Sequence, residues 1–183
     1  MGEWVDKKHV DASDIRGNVS EETKKTCLMV FRFFVSTPGK SYGAEIGENL
    51  KLVEINILKM DRFGKGPSTY AETAVDVTVK KDMCNVFHIL HGACAAYIVD
   101  LCSVSSLVAL GTSLGFDGTG VSQSMNLIWH HPIHLGEEVT VVSTSMSARG
   151  RVRTVKCELW SKNALCISAV HSTVNVVRTK GKL

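Results

Sequence analysis

No C-x-x-C pair occurs among the six cysteines of this 183-residue chain: Cys27, Cys84, Cys94, Cys102, Cys157 and Cys166. That absence argues against a zinc ribbon and against a thioredoxin-type redox site. The opening segment MGEWVDKKHV has no apolar h-region, and position 6 is Asp6 rather than Ser or Thr. Neither a secretory signal nor N-myristoylation is therefore expected. The cysteines accordingly read as small buried hydrophobes in a reducing, intracellular compartment, the cytoplasm first. Gly181-Lys182-Leu183 only approximates the S-K-L address, so a peroxisomal or mitochondrial site is a lesser alternative. No internal repeat is evident, and Lys65 sits in a G-K-G without P-loop spacing.

Acidic residues are scarce in the last fifth of the chain. From Ser147 to Leu183 eight basic residues (Arg149, Arg151, Arg153, Lys156, Lys162, Arg178, Lys180, Lys182) face one acid, Glu158. That segment carries +7 of a chain whose net charge is +3, which leaves −4 for the rest. A local basic surface suits a polyanion. Base stacking needs interleaved aromatics, and Trp160 alone supplies one, so a phosphorylated small molecule fits better than nucleic acid. What is plentiful is ordinary: 44% apolar and 21% charged residues make one folded domain with a core of its own.

Residues 1–18 are polar and patternless, which predicts a loose arm. Ser20 can cap a helix running to about Thr37, with Glu21 and Glu22 in its first turn and Pro38-Gly39 as its stop. Its apolar positions Cys27, Leu28, Val30, Phe31, Phe34 and Val35 predict packing on another element. Residues 51–60 and 71–80 then read as strands. In the second, Ala71, Thr73, Val75, Val77 and Val79 share one face, the alternation of a half-buried antiparallel strand. The run 91–110 differs, with fourteen of twenty residues apolar and Asp100 its only carboxylate. It predicts a helix buried on most sides. Its length would span a bilayer, but a central Asp, three serines and no following basic flank argue against a membrane span. After the Gly-rich GFDGTG, strands are expected over 121–131, 138–147, 151–161 and 164–177. Two strands, one buried helix and four strands give an α+β fold, an antiparallel sheet wrapped on a central helix.

Asp100 is the first candidate for chemistry, because a carboxylate in an apolar helix is costly unless it reaches a cleft or an interface. The second is the helix start, with Asn85, His91 and Gly92. The first N–H groups of a helix lack internal partners and stabilise negative charge, including a transient oxyanion. Gly92 lets a ligand approach that backbone closely. Gly92 and Asp100 are eight residues apart, about 12 Å along a helix axis. One reacting carbonyl cannot touch both, so joint action requires Asp100 from a second copy across a two-fold axis. Gly111-Thr112-Ser113-Leu114-Gly115 fits the G-x-S-x-G elbow in letters, but a helix precedes it instead of a strand. His130, His131 and His134 lie on a strand end with no carboxylate or thiol to complete a metal set, so no metal is expected.

The ordered set Asn85-x5-His91-Gly92-x7-Asp100, then G-V-S-x-x-M-N from Gly120 to Asn126, then Pro132-x3-Gly136-Glu137, resembles the hotdog-fold acyl-coenzyme A thioesterases. The phenylacetyl-CoA thioesterases and the thioesterase superfamily members are the most similar groups. The resemblance covers roughly residues 47–177. It implies a hotdog thioesterase domain over 47–178, preceded by an arm and helix (1–46) and followed by a basic tail (179–183). It implies thioester hydrolysis without a cofactor by homodimers that pair into homotetramers. By resemblance Asp100 is nucleophile or general base, Gly92 the oxyanion-hole amide, and Asn85 holds the water or thioester. His91 orients the site, and Ser122 lies near the attacking water. Trp129, the stretch Ala148, Arg149, Gly150, Arg151, Val152 and Arg153, and His171 match positions that meet coenzyme A. Guanidinium groups suit its phosphates. Two features depart from the family: Ala93 stands where a second glycine is common, and the loop before Gly120 is longer. A hydratase or dehydratase on the same fold, or a non-catalytic acyl-CoA sensor or scaffold, are the competing expectations.

Overall fold

Period-two apolar patterning and one long apolar run resolve into a sheet wrapped on a helix. The computed structural model describes residues 10–175 apart from 36, 38–40 and 62. Six strands, β1 (Lys51–Met60), β2 (Ser68–Thr78), β3 (Val121–Trp129), β4 (Glu138–Ser147), β5 (Val152–Ser161) and β6 (Ala164–Val174), form one sheet in the order β1-β2-β4-β5-β6-β3. Every neighbouring pair is antiparallel. β1 and β4 coincide with the ranges expected from sequence, whereas β2 starts earlier, at Ser68. Ala71, Thr73, Val75 and Val77 of β2 are buried as their alternation predicts, and so is Val79 just after it.

Helix α1 (Glu21–Val35) starts where expected, with the Ser20 hydroxyl accepting the Thr23 N–H at 3.2 Å. A single turn, α2 (Ala44–Gly47), follows, and α3 (Gly92–Leu114) fills the concave side of the sheet. The serines at 103, 105 and 106 do not break it, since they donate to the carbonyls of Asp100, Cys102 and Ser103 in turn. By length and composition α3 could cross a membrane, but most of it is buried inside this fold. It ends at Gly115, whose φ of 79° is left-handed and whose N–H caps Gly111. Gly111 to Leu114 are thus its last turn, and Ser113 has no strand before it, so the G-x-S-x-G match is no elbow. All six cysteines are free, and only Cys84 is not buried. The expected stop at Pro38-Gly39, and Arg178, Lys180 and Lys182, lie outside the described residues.

The two edges of the sheet differ. Along β1 the N-terminal segment lies as a short cover. Arg16 N–H donates to Val53, Ile55 N–H donates to Arg16, and Asn18 accepts from Ile57 N–H at 2.8 Å. At the opposite edge no described residue pairs with the outer side of β3, and β3 is exposed on both faces.

Candidate active site

Asp100 lies midway along α3 and emerges beside the start of β3. Its Oδ1 accepts the Ser122 hydroxyl at 2.5 Å, and its side chain is 38% exposed. A register shift between Ser122 and Ser124 sets Ser122 at an irregular point of the β3–β6 ladder. Behind Asp100 stands His171 of β6, completely buried, with Nε2 at 3.6 Å from Asp100 Oδ1. Nδ1 of His171 is 2.7 Å from the Ser103 hydroxyl, and Nε2 has no hydrogen-bond partner among the described residues. Burial pushes the His171 pKa below the usual histidine value, with the Asp100 charge opposing the shift. His171 therefore stands behind Asp100 without a hydrogen bond to it, held instead by Ser103. This corrects the coenzyme contact expected for it: the imidazole has no surface to offer a ligand.

The second half of the site is at the other end of the exposed part of α3. His91 caps the helix, its Nδ1 accepting the Ala93 N–H at 3.1 Å. That leaves the Gly92 N–H without a partner among the described residues. The Trp129 ring lies beside Gly92, and a Cβ built there would meet it at 3.7 Å, an ordinary contact. Gly92 is thus not required by the packing of this chain, which leaves room for a ligand as the reason for it. Asn85 Oδ1 accepts from Phe87 N–H (2.9 Å) and Ile89 N–H (3.2 Å), which fixes the loop before the helix. Its carboxamide N–H groups make no bond among the described residues and can serve a carbonyl.

The basic turn falls with the Asp100 half. Val174 of β6 pairs with Val121 of β3 on one side and Val152 of β5 on the other, so β3 and β5 start at one end of the sheet. Arg149, Gly150 and Arg151 are exposed in the β4–β5 turn there, Ala148 is partly buried, and Val152 opens β5. Arg153 departs from its expected contact with phosphate. It is buried, its guanidinium is 4.6 Å above the Phe116 ring, and it donates to the Asp117 carbonyl. Its charge fastens the loop before β3.

Between α1 and α3 runs a cavity of about 110 Å³ lined by Cys27, Val30, Phe31, Phe34, Leu101, Val104 and Val108, among others, with Asp100 and Ser122 also on its wall. Sequence reasoning missed it. The apolar face of α1 was legible, but nothing in that face says that it leaves a space against α3. Burial pushes the Cys27 thiol up to about 11, so it stays protonated and is no nucleophile here.

Residues 87–167, which include Gly92, Asp100 and Ser122, match the family model described as the thioesterase superfamily. No curated protein matches in sequence. Among solved structures, thioesterase superfamily member 2 of zebrafish aligns with a TM-score of 0.59 at 17% identity, over 80% of this chain and 94% of that one. A hypothetical thioesterase with coenzyme A from Streptococcus pneumoniae aligns at 0.51 and 16% identity, over 66% and 86%. A Streptococcus mutans protein bound to acetyl CoA aligns at 0.52 and 16% identity, over 66% and 89%. Identities this low speak for the fold, and the fold is the hotdog fold that the resemblance implied.

Proposed function

From a thioesterase-superfamily match and a hotdog fold, we propose that this protein hydrolyses acyl-CoA thioesters to a free acid and coenzyme A, each site being shared by two copies. One observation carries the reading: a carboxylate on an otherwise apolar helix, held at 2.5 Å by the Ser122 hydroxyl beside an apolar cavity. Asp100 takes a proton from water while the water oxygen bonds to the thioester carbon. The Gly92 N–H, with the helix dipole behind it and the Asn85 carboxamide beside it, receives the charge that develops on the carbonyl oxygen. The tetrahedral species then expels the sulfur, the C–S bond breaks, and the proton returns to the departing thiol. Ser122, donating to Asp100 Oδ1, keeps that oxygen occupied, which favours a general base over direct attack by the carboxylate.

Spacing on α3 separates Gly92 from Asp100 by about 12 Å, so the amide comes from the second copy. The edge of β3, which no described residue pairs with and which is exposed on both faces while the β1 edge is covered, supports a copy docked there. Pairing of such dimers gives the homotetramer that the resemblance implied. Arg149 and Arg151 receive phosphates of the coenzyme at the β4–β5 turn, and Trp129 flanks the thioester at the helix start. The reading takes the protein to be intracellular, cytoplasmic first, where thiols stay reduced.

Thiol release measured over a panel of acyl-CoAs tests the reading. Asp100→Asn is expected to lower kcat by about 10²–10⁴, the usual worth of a positioned base, with little change in KM. Turnover in labelled water places ¹⁸O directly in the acid if Asp100 is a base, and in Asp100 first if it is the nucleophile. Near-wild-type turnover by Asp100→Asn overturns the assignment, and binding without thiol release would mark an acyl-CoA-binding protein instead.

A further inference from the structure

We propose that the cavity between α1 and α3 receives the hydrocarbon end of the acyl group, which makes α1 the element that selects chain length. The inference rests on the thioesterase reading and names its substrate class: short, straight, unsubstituted aliphatic acyl groups. Asp100 and Ser122 form part of the cavity wall, so a carbonyl reacting at that pair points its chain inward. The same copy that supplies the carboxylate thus holds the acyl chain, while the partner copy supplies the amide.

The lining explains the class. Val30 and Phe34 from α1 face Leu101, Val104 and Val108 from α3. The polar groups in the wall are already engaged. Ser105 Oγ is 2.6 Å from the Cys102 carbonyl and 2.6 Å from the Thr73 hydroxyl, and the Thr119 hydroxyl bonds Asp117 at 2.7 Å. Beyond the Asp100–Ser122 pair and the weakly polar Cys27 thiol, the described wall residues offer no free donor or acceptor side chain to a hydroxyl or carboxylate on the chain, which would lose its hydration on entry. The volume, about 110 Å³, is well below the roughly 300–1,000 Å³ of pockets for drug-sized ligands, so it suits a short chain. Phe34, half exposed, stands at the outer side of this space, where its ring can be removed without opening the core.

The test is kcat/KM over straight-chain acyl-CoAs from acetyl to dodecanoyl, for the full chain and two variants that change the cavity in opposite senses. The unaltered protein is expected to be fastest with butanoyl- to hexanoyl-CoA. Val104→Phe fills the cavity and should lower hexanoyl-CoA about tenfold against acetyl-CoA, in line with the discrimination a filled apolar pocket gives. Phe34→Ala should move the optimum towards octanoyl-CoA. Opposite shifts cannot come from lost folding, which would lower all substrates together. An optimum above octanoyl-CoA in the unaltered protein, or variant profiles that coincide with it, overturns the inference and leaves thioester hydrolysis standing. No hydrolysis of any acyl-CoA brings down the thioesterase reading itself.

Discussion

Burial disfavours the charged form of His171, and this has consequences for pH. Folding buries it completely, 3.6 Å from Asp100. Its folded pKa is lowered, while the unfolded chain titrates near the ordinary histidine value of about 6.5. Between those two values the unfolded state binds more protons than the folded one, so stability rises with pH there. Urea midpoints should therefore hold steady above about pH 6.5 and drop as pH falls through that window. In His171→Gln that part of the slope should flatten. Ser122→Ala removes the donor at 2.5 Å from Asp100, and kcat should fall about tenfold, a modest effect because the carboxylate is partly solvated. Single residues were unevenly legible in the sequence. Asp100 stood out because an apolar run made it an anomaly. Arg153 was misplaced although the signal was present, since it shares a strand face with Val155, Cys157 and Leu159, all fully buried. Period two turns its side chain inward, and charge alone gave the contrary reading. For His171 the same period gives the inward face, but that Ser103 of α3 waits there is a tertiary fact.

At the scale of elements, the loop between α3 and β3 decides where Ser122 stands. It is pressed onto the helix at Gly118, where an added Cβ would sit 2.2 Å from the Leu107 carbonyl oxygen. Gly118→Ala must push this loop off α3. A cost of about 1–3 kcal/mol is expected, as for other overpacked sites, and should show as a lower Tm together with weaker turnover. Restoring temperature or osmolyte conditions that refold the variant should leave the turnover defect in place, because the displaced loop leads directly into Ser122 near the start of β3. Strands were legible where turn residues bracket an alternating run, as for β1 and β4, whereas β2 starts three residues before its expected range. The start of α3 was legible because His91 and Gly92 mark a cap. The pairing of α1 with α3 was not, since an amphipathic face records that it needs a cover without recording which.

For the whole molecule the proposed sharing of sites makes an arithmetic statement. If Asp100 and Asn85 of one site come from different copies, Asp100→Asn and Asn85→Ala chains should complement each other. Each variant alone is expected to be poorly active. Random reassortment of equal amounts makes half of the dimers mixed, and each mixed dimer has one intact site, so about a quarter of full activity should return. No return on mixing, with mixed dimers demonstrated by mass, would place both residues in one chain's own site. The asymmetry of the sheet bears on this directly. The chain shields β1 with its own N-terminal segment, whereas no described residue pairs with the outer side of the nine-residue β3. Since Ser122 stands on that same hem, a site shared as proposed would tie the chemistry to dilution. With the copies parted, the carboxylate would no longer face a mate's amide, and turnover per chain should fall as the solution is thinned, long before any helix melts.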